Sequence, residues 1–292
     1  MAIKINYEPE IVKRGKTRFE RVEDGDTLFI KEGIRMLGID TPEIHFPGTA
    51  KPSKHDASLN AMADKLTNMG VIPGLAAHLK PRLKGQAGTL QLAQGDAATQ
   101  ALTKAIDDRL AQYSSKTGKR ISDKDMYIQI ASDVFDHYGR MLAYLAPTYT
   151  KTELNTIPPA KRPTFNLQML QLGWAAPIII FPNIPKKADL ALVQSAVKKA
   201  RKGKKGAWAD PNLLLGYEFR SCVRLYKGEK EWISRYCVDM TSGNIYEPQD
   251  YYRVDPENRI FVWPADLAWA IDEMNLDPQF ATVPTDVIII GG

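Results

Sequence analysis

The sequence predicts an α+β chain made of two successive units. Strand-like runs lead into segments whose apolar residues recur at helical spacing, and a second series of strand-like runs closed by one helix begins near Gly216. Charge separates the same two parts. Asp210–Gly292 carries 14 acidic and 7 basic side chains, a balance of −7 within a chain of net charge +5, so the residues before it carry +12. With 292 residues the chain is long enough for one large or two ordinary domains. The reading divides it into an arm at 1–17, a unit at 18–209 with an insertion at about 46–94, and an acidic α+β module at 210–292.

Taken in order, "TRFERVEDGDTLFIKEGIRMLGID" reads as successive strands, with "KEG" as a hairpin turn. "PEIHFPGTAKPSKHD" is a loop broken by Pro42, Pro47 and Pro52. "DASLNAMADKL" reads as a short helix and "VIPGLAAHLKPRLKGQAGTLQLAQG" as irregular chain. "DAATQALTKAIDDRLAQY" is the clearest helix, with Asp96 as its N-cap and Ala98, Leu102, Ile106 and Leu110 on one face. Two strands surround "FDHYGR", "NLQMLQLGWAA" is a helix closed near Gly173, and "IIIFPNIP" is an apolar run entering a loop. "ADLALVQSAVKKARKGKKGAW" is a helix with a basic end, where lysines suit the helix dipole or a nucleic acid. After Gly216, "YEFRSCVRLY", "EWISRYCVDM" and "RIFVWP" read as strands, and "ADLAWAIDEMNL" as a helix.

The pI of about 9.0 fits a polyanionic partner. No apolar stretch reaches the roughly 18 residues needed to span a membrane. The N-terminus lacks the apolar core of a secretory signal, so a cytoplasmic place is expected. Cys222 and Cys237 have neither a disulfide-framework pattern nor zinc-site spacing and are expected to be reduced, half-buried strand residues.

One short region gathers chemistry. "VEDGDTLFI" and "LGIDTPE" place Asp24, Asp26, Asp40 and Glu43 around Arg35. Alone, "DGDT" is a turn and "DTPE" a helix start. Joined by a hairpin, Asp26 and Asp40 can approach each other, and two carboxylates brought together need a cation or a proton between them. All-oxygen donors suit Ca²⁺ or Mg²⁺ rather than zinc. Arg35 and Arg140, in "HYGR", suit a phosphodiester, and Glu43 suits activation of a water.

With "DGDT", "IRMLGIDTPE", "GDAATQALTKAIDDRL", "DHYGRMLAYL", "LGWA" and the basic helix ending in "GAW", the chain resembles the staphylococcal nuclease (thermonuclease) family over most of Arg18–Ala209. The resemblance implies a five-stranded OB-type β-barrel with packed helices and Ca²⁺-dependent cleavage of DNA and RNA leaving 3′-phosphate ends. It implies side-chain ligation of Ca²⁺ by Asp26 and Asp40, with the Thr41 carbonyl as a further ligand. Glu43 would sit behind the attacking water, Arg35 and Arg140 on the scissile phosphate, and Tyr138 on a terminal phosphate.

Three departures mark the substrate rim. His137 stands where the family has lysine, Ile179 and Phe181 stand where it has nucleotide-packing tyrosines, and 46–94 replaces a short basic loop. A catalytically silent nucleic-acid- or protein-binding member is the main alternative, although no acidic ligand or arginine is missing. A nucleotide-binding sensor or antitoxin-like partner has only the C-terminal module in its favour. The insertion is expected to flank the mouth of the site. The acidic module is expected to offer a surface for a protein partner or to dock on the basic helix, leaving a chain cut near Asp210 active.

Overall fold

The structure, a computed structural model, describes residues 17–276 apart from 47, 49 and 137. The arm expected at 1–17 therefore lies almost wholly outside the described residues, as does the end of the C-terminal module.

Strands β1 (Arg18–Val22) and β2 (Leu28–Lys31) form an antiparallel ribbon closed by the Asp-Gly-Asp-Thr turn and exposed along its whole length. The chain then enters β3 (Ile34–Met36), bends, and continues as β4 (Gly38–Asp40). The bend needs Gly38, whose φ of 70° lies in the left-handed region that side chains resist. Through it the chain passes from one sheet to another.

The insertion is helical. α1 (Asp56–Met62) and α2 (Pro73–Leu83) precede α3 (Ala87–Leu110). α3 starts nine residues before Asp96, within a segment whose glycines suggested irregular chain. Those glycines are contact points. A Cβ on Gly88 would lie 2.1 Å from the Pro52 carbonyl oxygen, and one on Gly95 would lie 2.9 Å from that of Pro42. Asp56 accepts from the backbone N–H of Gly88 at 2.7 Å and Thr89 at 3.0 Å, satisfying donors that a helix start leaves orphaned.

β5 (Ala111–Tyr113) and β6 (Arg120–Asp123) make a second ribbon. β7 (Met126–Phe135) and β8 (Met141–Pro147) are antiparallel, and β3 joins the other edge of β8 in parallel. α4 (Lys151–Thr156) and α5 (Phe165–Leu172) lead to β9 (Ala176–Ile180), and α6 (Lys187–Lys202) is the basic helix. α7 (Gly216–Tyr226), β10 (Tyr236–Asp239), β11 (Ile245–Tyr246), β12 (Arg259–Val262) and α8 (Leu267–Met274) complete the described chain.

The α+β class holds, but the expected closed five-stranded barrel is not found among the described residues. The strands form a five-stranded sheet in the order β11-β10-β12-β9-β4, a three-stranded sheet β3-β8-β7, and the two ribbons. The reason lies at β9, which pairs with β4 on one edge and with β12 on the other. Buried Asn166 ties β8 to the bend between β3 and β4 by donating to the carbonyls of Leu37 at 2.9 Å and Ala143 at 3.2 Å, while its Oδ1 accepts from Leu145 N–H.

"YEFRSCVRLY" is a helix rather than a strand, because Phe219, Cys222 and Val223 form one buried helical face. Cys222 thus sits on a helix and Cys237 on a strand. Both are reduced and fully buried rather than half-buried. The largest apolar cluster mixes Leu59, Leu75, Leu79 and Leu83 of the insertion with Leu214, Phe219, Val223 and Phe261. Residues on either side of Asp210 therefore share one sheet and one core. On α6, Arg201 pairs with Asp255 at 3.1 Å and also with Glu257. Lys198, Lys199, Lys202, Lys204 and Lys205 stay exposed.

Candidate active site

Fully extended chain would hold residues five apart at roughly 17 Å. The bend at Gly38 instead brings Arg35, on β3, to Asp40, the last residue of β4, with Nη2 to Oδ1 at 2.9 Å. Asp40 is only 2% exposed, so its charge requires partners.

The next residues are held by α3. Gln91, itself buried, accepts from the backbone N–H of Glu43 at 3.0 Å and donates to the carbonyl of Leu214 at 2.5 Å. One side chain from the helix that closes the insertion thus ties the "DTPE" turn to the chain entering α7. Gly95 lets the same helix press against Pro42 and Ile44. Burial pushes the Glu43 carboxyl above its ordinary value, with Asp40 adding to the rise and Arg220 opposing it.

Arg220 is the residue that sequence reasoning missed. It projects from α7, and its Nη2 donates to both carboxylate oxygens of Asp40 at 3.0 Å while Nη1 donates to Glu43. The two carboxylates hold its pKa above the ordinary guanidinium value despite the opposing effect of burial. α7 also packs its backbone against the site. A Cβ on Gly216 would lie 2.3 Å from the Thr41 carbonyl oxygen and 2.5 Å from Asp40 Oδ2. Arg235, ahead of β10, lies within electrostatic reach of Arg220 and Asp40. The available sequence signal was the helical period of "YEFRSCVRLY", which sets Arg220 off the apolar face.

Of the residues expected at the site, Arg35, Asp40, Thr41 and Glu43 come together. Asp26 does not join them. It lies in the exposed β1–β2 turn, where its Oδ1 accepts from the Thr27 hydroxyl at 3.3 Å. Arg140 packs its stem near Gly33, the residue just before β3, and its Nε donates to Asp136 at 2.7 Å. Tyr138 is exposed beside it, with the Arg140 guanidinium 5.4 Å from its ring centre. His137 lies outside the described residues. Ile179 and Phe181, expected beside a nucleotide, are 1% and 4% exposed and pack into the apolar cluster with Val238, Ile245 and Ile260 instead.

Asp26, Asp40 and the Thr41 carbonyl are hard oxygen donors of the type Ca²⁺ takes. Their arrangement does not fit the ion, because both Asp40 oxygens accept from guanidinium groups and Gly216 covers the Thr41 carbonyl. Among the described residues, no three His, Cys, Asp or Glu side chains gather as a metal site.

The segment from α3 to the end of the basic helix, which includes the "LGWA" turn, is also the part of the chain that matches a known family. Residues 87–210 match the staphylococcal nuclease homologue family. The match begins at residue 87, within the last part of the insertion, so Arg35, Asp40 and Glu43 precede it. The chain is also 25% identical over 250 residues to Endonuclease YhcR of Bacillus subtilis (strain 168), covering 83% of this chain and 15% of that protein. That span exceeds the first 209 residues, so it takes in part of the C-terminal module. The chain corresponds to a small part of that relative's length. No described helix is long and apolar enough to cross a membrane.

Proposed function

We propose that the protein is a nuclease that hydrolyses phosphodiester bonds in DNA or RNA. The observation that carries this reading is the pair of buried Asp40 and half-buried Glu43 bridged by the Arg35 and Arg220 guanidinium groups, within a chain similar to the staphylococcal nuclease family. Glu43, its carboxyl raised by burial, is suited to take a proton from a water. The water oxygen forms the new bond to phosphorus as the bond to the leaving oxygen breaks. Arg35 and Arg140 offer planar donor pairs for the phosphoryl oxygens. Tyr138, exposed next to Arg140, would meet a flanking phosphate in this reading. Release of the 5′-oxygen, leaving a 3′-phosphate, follows the resemblance, as does activation by Ca²⁺. The donor chemistry of Asp26, Asp40 and Thr41 supports that ion, whereas their arrangement does not gather it, so the steps above rest on the chain's own groups.

The closure of Arg220 over both carboxylates favours a second reading, a silent nucleic-acid-binding protein of the same family. Digestion of plasmid DNA and of RNA with Ca²⁺, Mg²⁺ or chelator separates the two. Cleavage that Glu43→Gln abolishes supports the enzyme. Binding of either polymer without cleavage under every condition supports the silent reading.

A further inference from the structure

We propose that Arg220 and Arg235, both from the C-terminal module, bind the substrate's phosphodiester and so complete the site. This rests on the nuclease reading and adds residues that neither the family match nor the sequence motifs contain.

The first ground is position. The Arg220 side chain is 40% exposed above Asp40, which is 3% exposed, so a ligand reaching the carboxylates meets this guanidinium first. Its Nη groups serve Asp40 and Glu43, while its Nε–H has no partner among the described residues. A guanidinium has five N–H donors, so Arg220 can hold the carboxylates and still donate to a phosphoryl oxygen.

The second ground is an unmet charge. The Arg235 guanidinium lies 5.2 Å from the ring centres of Phe261 and Trp263. It has no carboxylate partner among the described residues. Burial and the like charge of Arg220 push its pKa down to about 10, still charged at neutral pH. Arg224, also near, is already paired with Glu229. A partly buried guanidinium is costly without a partner. The aromatic faces stabilise its cation but leave its in-plane N–H donors unused.

The third ground is the balance. Arg35, Arg220 and Arg235 set three positive charges against Asp40 and Glu43, leaving one in excess. A phosphodiester carries one negative charge, so a single linkage neutralises the cluster. Flat donor forks match its two unesterified oxygens.

The test is fluorescence anisotropy in chelator with two short single-stranded DNA oligomers, one with phosphodiester and one with uncharged methylphosphonate linkages. Wild type, Arg220→Gln and Arg235→Gln are compared, each checked for folding by thermal melting. Each substitution is expected to weaken phosphodiester binding by about 10- to 100-fold, the scale of a hydrogen bond to a charged group. Methylphosphonate binding should be weak and unchanged. If a glutamine variant fails to fold, Arg235→Lys keeps the charge and loses the planar fork, and it should still bind more weakly than wild type. A folded Arg235 variant that binds like wild type overturns the assignment while a cleaving wild type keeps the nuclease reading. A wild type that neither binds nor cuts DNA or RNA overturns both.

Discussion

Glu218 is the buried group on which the placement of α7, and therefore of Arg220, depends. It is only 2% exposed and serves four neighbours. Its Oε2 accepts from Leu215 N–H at 3.0 Å. Its Oε1 accepts from the Tyr251 hydroxyl at 3.0 Å and from His78 Nε2 at 3.2 Å. Arg259, equally buried, has its Nη1 3.8 Å from the same oxygen. Glu218→Gln keeps an acceptor but removes the negative charge facing Arg259 and turns new N–H donors toward donors. Removing one partner of a buried ion pair costs about 3–5 kcal/mol, and the surviving bonds of Arg259 to Val254 and Tyr217 place this variant near the lower end, about 3 kcal/mol. The loss should also depend on pH. Burial alone would raise the Glu218 carboxyl, but His78, Arg259 and the Leu215 N–H outweigh it and hold it below 4.5, its value in unfolded chain. A depressed carboxyl contributes stability that is fully present above its unfolded value and is lost as pH falls through its folded value. Denaturant unfolding of wild type and variant, read at neutral pH and again below pH 4.5, should therefore show the gap narrowing on acidification. A gap under about 1 kcal/mol at neutral pH, or one that widens in acid, would refute the role given to this carboxylate.

Four further outcomes follow from the same geometry. Gly216→Ala forces a methyl toward the Thr41 carbonyl and Asp40 Oδ2, both under 3 Å away, and should destabilise the protein by the roughly 1–3 kcal/mol typical of overpacking, read as a lower melting temperature. Glu43→Gln should slow cleavage about 10²–10⁴-fold, the range for losing a general base, and a variant cutting plasmid at the wild-type rate would remove Glu43 from the mechanism. Chelator should suppress cleavage if the calcium expectation is right, and undiminished cleavage would reject it. A chain ending at Asp210 should lose cooperative unfolding, because β12 pairs with β9 and Phe219 and Phe261 belong to the largest core cluster, so a soluble, active truncation would contradict the packing.

Much of the candidate site was legible because its parts are local. "IRMLGIDTPE" spans one bend, and a glycine between a cationic and an acidic residue is enough to bring Arg35 to Asp40. Asp26 was assigned by the same logic, yet the ribbon carrying it stays exposed on both faces, and no sequence period reports how such a ribbon swings. Long helices showed through their periodicity, but glycines at 88 and 95 read as breaks when they are points of close contact with Pro52 and Pro42. "YEFRSCVRLY" misled because tyrosine, phenylalanine, valine and arginine alternate well enough for a strand, whereas the buried set Phe219, Cys222 and Val223 is helical. Arg220 and Gln91 were invisible for a different reason. Each acts across more than a hundred residues of chain, through a pairing no local pattern records.

The charge segregation along the chain acquires a physical meaning through these contacts. An acidic module docked on a basic body would be expected to cover cations and repel a polyanion. Here the acids that meet the body do so at two places, where Asp255 and Glu257 take Arg201 and where buried Glu218 takes His78, and the neighbouring lysines of α6 stay in solvent. The module's own cations turn the other way. Arg220 reaches Asp40 and Glu43, and Arg235 lies within electrostatic reach of it with no carboxylate partner among the described residues. Net charge therefore describes the module's solvent-facing surface, while its inner face brings positive charge to Asp40, at the end of β4, and to Glu43 just after it. Screening by salt acts strongly on the first and weakly on the second. Raising ionic strength should weaken overall nucleic-acid binding through the exposed lysines while leaving the Arg220 bridge intact. If salt instead destabilised the fold as steeply as it weakened binding, the bridge from Arg220 to buried Asp40 would not be holding the module in place.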